Sequence, residues 1–206
     1  GTTNVVLNAI DRWRGTPPYD KTALVWEGEE RVRREYAYRD LDREVCRCAG
    51  AFRALGISRG DVVAMYLPNV PEAMIAMLAV AKIGAIMMPL FSGFGADAMV
   101  ARLELAQASV LITVDGTTRR GKLVDAKAIA DEAVAQVSAV KRVVVVRRAG
   151  NRIGWTEGRD HWWHELCANQ PDHAATEEMD ADAPYLLVFT SGTTGKPKGV
   201  VHGHTG

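Results

Sequence analysis

Neither sign of charge is in surplus: 25 Lys and Arg face 25 Asp and Glu across 206 residues. Such a balance supplies no field for steering onto nucleic acid or an anionic membrane, and neither is expected as a partner. Cysteine is scarce and odd in number. Cys46, Cys48 and Cys167 offer no disulfide framework, which points to a reducing, cytoplasmic setting. Cys46 and Cys48 stand two apart on a predicted helix, do not share a face, and read as core or half-core thiols. Long apolar runs are also missing. The longest such passage, Ala73 to Phe91, is interrupted by Lys82 and Gly84 and carries Pro89, so it reads as helix then strand rather than a membrane span. The chain opens Gly-Thr-Thr-Asn, with no basic segment ahead of an apolar one and no initiator Met; a processed, trimmed or expressed piece is expected.

Several catalytic signatures are absent as well. The run Leu67-Pro68-Asn69-Val70-Pro71 joins a strand to a helix with no glycine, and Gly-x-Gly-x-x-Gly occurs at no such junction, which argues against a Rossmann cofactor site. Ser191-Gly192 is preceded by Phe189 where a nucleophile elbow requires Gly. His161, His164 and Glu165 have the wrong order for a zincin and lack an evident third ligand. Beside Trp162 and Trp163 they read as packing or surface groups, and no metal site is assigned.

What is present is a globular α/β chain, 48% apolar, without internal repeats. Residues 1–59 read as a helix–hairpin–helix lead-in. Val6, Ala9, Ile10 and Trp13 mark a short helix stopped by Pro17-Pro18. Thr22–Glu27 and Arg31–Tyr36 form a hairpin, and Leu41, Val45, Cys48, Phe52 and Leu55 line a helix closed by Gly56. Residues 60–146 alternate strand and helix: strands Val62–Leu67, Ala85–Leu90, Val110–Val114 and Arg142–Val146, with helices from Pro71 to about Ile83, Ala98 to Ala108 and Leu123 to Val137. Near-continuous apolar strands separated by helices predict a layered α/β/α fold with a mostly parallel sheet. Gly116–Lys122 reads as a loop. Residues 147–184 read as a surface excursion, a short helix around Trp162–Cys167 and an acidic loop, leaving 185–206 as a strand and phosphate-binding loop.

That loop organises the chain. The apolar run Tyr185–Phe189 leads into Thr190-Ser191-Gly192-Thr193-Thr194-Gly195-Lys196-Pro197-Lys198-Gly199, and Val200-Val201-His202 follow with strand character. Three glycines leave backbone N–H groups unshielded, four hydroxyls surround them, and Lys196 and Lys198 supply positive charge. Such a donor-rich concavity suits a polyphosphate. It is not the P-loop of NTPases, since Pro197 occupies the position of the Mg²⁺-binding Ser or Thr. A second basic cluster, Arg119-Arg120-Gly121-Lys122, reads either as a solvated loop or as a contact for another phosphorylated ligand. Arg147, Arg148 and Arg152 read as an ordinary surface group.

The stretch Tyr185–His202 resembles the signature of the adenylate-forming enzymes: acyl-CoA synthetases, luciferases and nonribosomal adenylation domains. Asp20–Gly28, Arg43–Arg47, Gly93–Ala98, Gly121-Lys122, Trp155–Asp160 and Glu178–Asp180 narrow the resemblance to AMP-forming, acetyl-CoA-synthetase-like acyl-CoA synthetases. It extends over essentially all of residues 1–206. The resemblance implies attack of a carboxylate on the α-phosphate of MgATP, giving acyl-adenylate and pyrophosphate, followed by attack of the CoA thiol. It assigns Thr190, Ser191, Gly192, Thr193, Thr194, Gly195, Lys196 and Lys198 to the β- and γ-phosphates, with Thr190 matching a residue that helps hold Mg²⁺ in some relatives. Arg119 matches an Arg near the 3′-phosphate of CoA, in a run where this chain has Arg120 instead of Gly, and Lys122 matches the Lys. A short-chain acid such as acetate or propionate is the expected substrate. In the family the acyl pocket, adenine segment, ribose aspartate, hinge and C-terminal domain with its catalytic lysine lie downstream. The expectation is therefore an incomplete N-terminal region of the large domain, inactive alone, with no catalytic residue of its own and partnered by the missing downstream part of the same polypeptide. The alternatives are a non-catalytic nucleotide-binding or regulatory module and a structural fragment that binds nothing alone.

Overall fold

A computed structural model describes residues 1–190 and 197–205. The chain opens with β1 (Thr2–Thr3) and α1 (Val5–Ala9), then passes through 3₁₀ turns at Asp11–Trp13 and Pro17–Asp20. The antiparallel pair β2 (Thr22–Glu27) and β3 (Arg33–Ala37) leads into α2 (Tyr38–Ala54). Next come β4 (Val62–Tyr66), α3 (Pro71–Lys82), β5 (Ile86–Pro89), α4 (Ala96–Ala106) and β6 (Val110–Val114). A small hairpin of β7 (Thr117–Arg119) and β8 (Lys122–Val124) precedes α5 (Ala126–Val134). After it run β9 (Arg142–Val146), β10 (Asp160–Trp162), α6 (Trp163–Ala168), β11 (Met179–Asp180), β12 (Pro184–Thr190) and β13 (Lys198–Gly203).

The local chemistry of the helices explains their limits. The Asp40 carboxylate accepts the Ala37 N–H at 3.2 Å, tying down the start of α2, whose face of Leu41, Val45, Cys48 and Phe52 is buried. Past its end Gly56 adopts φ +83°, and the Ile57 N–H returns to the Phe52 carbonyl. Pro71 starts α3, where a missing N–H costs nothing, and Gly84 at φ +73° stops it. Alanines on α3 let α2 approach closely.

The seven-stranded sheet runs in the order β10-β9-β6-β4-β5-β12-β13. Every neighbouring pair is parallel except β12 and β13. The chain steps from β4 to β5 on one side, then crosses back to β6 on the other. Right-handed crossovers in opposite directions place helices on both faces, and two packed groups result: α2 with α3 and α6, and α4 with α5. Leu111, Ile112 and Val143–Val145 are completely buried between them. Each such side chain contributes roughly 1.5–3 kcal/mol, so the central strands carry most of the apolar stabilisation.

Three local expectations are corrected. Residues 117–124 form a hairpin rather than a loop, because Arg120 (φ +52°) and Gly121 (φ +73°) make a tight turn that brings Arg119 opposite Lys122; α5 accordingly begins at Ala126, where the Asp125 carboxylate accepts the Ala128 N–H. Asp160–Trp162 leaves the surface excursion to add a parallel strand beside Val143–Val145. Met179–Asp180 within the acidic stretch pairs with Thr2–Thr3.

Two ionic knots fasten these irregular segments. Lys82, fully buried on α3, donates to Asp11 at 3.1 Å and to the Thr176 hydroxyl at 2.6 Å, while Asn4 donates to the Ala81 and Glu177 carbonyls. Lys127, equally buried on α5, donates to Asp131 at 2.7 Å, Asp160 at 2.9 Å and the Gly154 carbonyl at 3.2 Å. Arg159 adds bonds to Asp160 and Asp131, both 2.6 Å. Burial pushes the Asp160 carboxyl up, but hydrogen bonds from Arg159 and Lys127 outweigh it and leave the group below its ordinary value of 3.8.

Candidate functional site: the carboxyl rim of the sheet

In an open parallel sheet the crevice beyond the strand ends, where the order reverses, is the natural ligand site. Here the reversal lies between β4 and β6. A cleft of about 500 Å³ opens at that point. Its walls come from Tyr66 at the end of β4, Phe91–Phe94 after β5, Thr117–Arg119 after β6 and Arg148 after β9.

The cleft is part aromatic and part cationic. Tyr66 donates from its hydroxyl to the Phe94 carbonyl at 2.8 Å, and Phe91 and Phe94 meet edge to face with centroids 5.6 Å apart. Burial pushes the Tyr66 phenol up, while the nearby Arg119 charge pulls the other way. Arg119 is carried on the hairpin and makes no ion pair with any described residue. A Cβ at Gly93 would lie 3.0 Å from its Nη1, so the guanidinium rests against bare backbone. On the other wall Trp26 donates to the Asn69 carbonyl at 2.6 Å and carries the guanidinium of Arg34 at 4.9 Å from its ring centroid and that of Arg148 at 5.3 Å. Arg148 also donates to Glu30 at 2.7 Å, and that hydrogen bond draws the exposed Glu30 carboxyl below its ordinary value.

The second feature of this rim is the end of the β12–β13 ladder. Thr190 and Lys198 are ladder partners, both exposed, and the Thr190 hydroxyl lies 3.4 Å from the Lys198 carbonyl oxygen. Ser191, Gly192, Thr193, Thr194, Gly195 and Lys196 lie outside the described residues. Because β12 runs parallel to β5, its end points to the same rim as the cleft. Beyond β13, His204 is buried, stacks on Tyr185 at 5.2 Å and accepts the Val5 N–H at 3.1 Å, fastening this end of the sheet to α1.

Sequence reasoning singled out Arg119, read Arg148 as an ordinary surface group although it lines this cleft, and assigned no role to Trp26 or Asp115. Asp115 follows β6 and is 1% exposed, yet in sequence it is an isolated acidic residue before a glycine. Apart from the adjacent Gly116, the residues its carboxylate gathers stand more than thirty positions away. Neither His161 nor His164 lines the cleft: Trp162 sits against His164 at 5.8 Å and stacks on Trp155 at 5.0 Å. Cys46 and Cys48 are both buried on α2; Cys46 contacts Asp42, and burial followed by a hydrogen bond with Cys167 raises the Cys48 thiol.

Comparison with known proteins agrees with this geometry. Residues 10–206 match the family model described as AMP-binding enzyme. Acetyl-coenzyme A synthetase of Streptomyces avermitilis is 46% identical over 202 residues, covering 98% of this chain and 31% of that protein. The Escherichia coli protein of the same name is 43% identical over 205 residues, covering 98% and 31%. The crystal structure of Brucella canis acyl-CoA synthetase matches with a TM-score of 0.80 at 26% identity, over 97% of this chain and 33% of that one. The chain thus spans about a third of the length of the relatives it matches. The family match shows that this chain belongs to the AMP-binding enzymes, and over its length it is similar to about a third of the length of the acetyl-coenzyme A synthetases.

Proposed function

We propose that this chain supplies the phosphate-gripping part of a ligase that converts a short-chain acid such as acetate or propionate, ATP and CoA into acyl-CoA, AMP and pyrophosphate in the cytoplasm. The observation that carries the reading is the position of the signature loop. Its ends, Thr190 and Lys198, are joined across one rung at the carboxyl end of β12, on the same rim as the Arg119 cleft. Acetate is drawn from the relatives named acetyl-coenzyme A synthetase, and propionate extends the same reading to the next short-chain acid.

In this proposal Thr190, Ser191, Gly192, Thr193, Thr194, Gly195, Lys196 and Lys198 receive the β- and γ-phosphates, and Arg119 receives the 3′-phosphate of CoA. Hydroxyl, amide and ammonium donors stabilise the charge that accumulates as pyrophosphate departs, each contributing about 1–4 kcal/mol in the transition state. The exposed hydroxyl of Thr190 at the strand tip suits a hard cation, and Mg²⁺ bound there would neutralise part of that charge. No residue of this chain is assigned to acid–base or nucleophilic work, which is proposed for the further sequence carried by the longer relatives. Val200 and Val201, 44% and 57% exposed on β13, support an apolar surface that such sequence would cover.

Two measurements test this. Pyrophosphate release with ATP, CoA and either acid is expected to be undetectable for the 206-residue chain, and clear turnover would overturn the assignment of the catalytic groups elsewhere. Calorimetric titration is expected to show ATP binding that disappears when Lys196→Ala and Lys198→Ala are combined. Unaltered binding by that double variant, or none by the parent chain, removes the phosphate-loop assignment.

A further inference from the structure

The cleft contains a guanidinium that neither the signature loop nor Arg119 explains. We infer that Arg148 is a second phosphate-binding residue of the switch-point cleft and that Asp115 positions it; this rests on reading the cleft as the site of the CoA nucleotide. Arg119 and Arg148 line one cavity although they follow different strands, β6 and β9. Each guanidinium lies against a glycine. A Cβ on Gly93 would come within 3.0 Å of Arg119 Nη1, and one on Gly28 within 3.1 Å of Arg148 Nη2. A side chain at either glycine would first collide with an aromatic ring, Phe91 or Trp26, and would also press on the neighbouring guanidinium.

Asp115 explains how two segments so distant in sequence stay in register. Its Oδ1 accepts N–H groups from Gly116 at 2.7 Å, Arg148 at 2.7 Å and Ala149 at 2.9 Å, and its Oδ2 accepts that of Gly150 at 2.7 Å. The Lys127 N–H reaches the Asp115 carbonyl at 3.2 Å, and the Asp115 N–H donates to Val146. One buried carboxylate therefore fixes the backbone of Arg148 and the first residue leading into the Arg119 hairpin. The only ion pair of Arg148 among the described residues is with Glu30. A guanidinium carries five N–H donors, so an incoming phosphate can share it with that exposed carboxylate or displace the carboxylate. A brace between Arg148 and Glu30 alone would not need the opening onto the cavity that Arg148 shares with Arg119.

The test is calorimetric titration of the 206-residue chain with CoA and with 3′-dephospho-CoA. Arg148→Gln is expected to weaken CoA binding by about tenfold, the loss of one charge-assisted contact. A loss confined to CoA assigns Arg148 to the 3′-phosphate, and an equal loss with both ligands assigns it to the pyrophosphate; either supports the inference. Asp115→Asn is expected to weaken CoA similarly and to add little in combination with Arg148→Gln, a coupling that a purely structural Asp115 would not give. Glu30→Gln, which frees the guanidinium without touching Asp115, is expected to tighten CoA binding by about twofold and stands in should the other variants not fold. If CoA affinity is unchanged in Arg148→Gln, or in Glu30→Gln where that variant stands in, while Arg119→Ala still loses CoA, the inference fails and the reading of the cleft survives. If the parent chain does not bind CoA, or Arg119→Ala binds it equally well, both fail.

Discussion

Asp160 shows how a single side chain decides the order of a whole segment. It lies buried between Lys127 and Arg159, and its hydrogen-bonded oxygens close the stretch from Gly154 to Arg159 onto α5. Lys127 and Arg159 keep Asp131 when the Asp160 charge is removed, so Asp160→Asn loses only the charge-assisted hydrogen bonds of one carboxylate and is expected to cost about 1.5–3 kcal/mol in urea unfolding at pH 7. The pH dependence has a definite sign. The folded carboxyl titrates below 3.8, the unfolded one near it, so the contribution is complete above the unfolded value and disappears as pH falls through the folded one. Unfolding curves from pH 7 to pH 2 should show an acid step in the parent chain that is smaller in Asp160→Asn. The stretch Trp155–Asp160 was recognisable in sequence as a familiar pattern, but its physical purpose was not. Lys127 lies 33 residues earlier, and no local periodicity pairs a helix lysine with a distant strand aspartate.

Among the elements, strands and helices with a strong period were legible because their signals are local. Val110–Val114 coincides with its expected limits, Pro71 begins α3, and the apolar face of α2 has the predicted spacing. Pairings that depend on remote partners were not legible. β10 has three residues and needs β9 beside it, and the two-residue β11 needs the chain's first residues. The hairpin that carries Arg119 lies between these cases: its turn signal was visible in Gly121, but three rungs are too few for alternation to declare itself. Gly121→Val would force a β-branched residue to φ +73°, at about 1–3 kcal/mol. On the proposed function this variant should weaken CoA binding while global unfolding shifts little, since the hairpin lies outside the central sheet. Gly84→Ala acts at an element boundary instead. It strains φ +73° and brings a methyl to 2.8 Å from the Met179 sulfur, so a destabilisation of about 1–2 kcal/mol is expected. For a chain of this size that corresponds to a fall in Tm of roughly 2–8 °C by thermal scanning.

For the molecule as a whole, the sheet is unequally covered. β4, β6 and β9 are buried, whereas β12 is half-buried along most of its length and β13 is largely exposed. An edge strand with neighbouring exposed valines invites pairing with another chain. Light scattering of the 206-residue protein is expected to show concentration-dependent association that Val201→Lys reduces, and an unchanged profile would exclude this edge as the cause. Sequence alone identified the apolar character of these strands, while the weak cover appears only once the helices are assigned to other strands.

The sheet order also sets a length scale. From β6, which launches the Arg119 hairpin, to β12, which launches the signature loop, the path crosses β4 and β5, three inter-strand steps. At about 4.8 Å per step the strand ends that carry the two proposed phosphate grips stand roughly 14 Å apart along one rim. No single compact phosphate bridges that distance. A molecule anchored at the hairpin can take part in chemistry at the loop only by means of an extended arm, and the strand count thereby selects for a substrate whose reactive end lies far from its charged one.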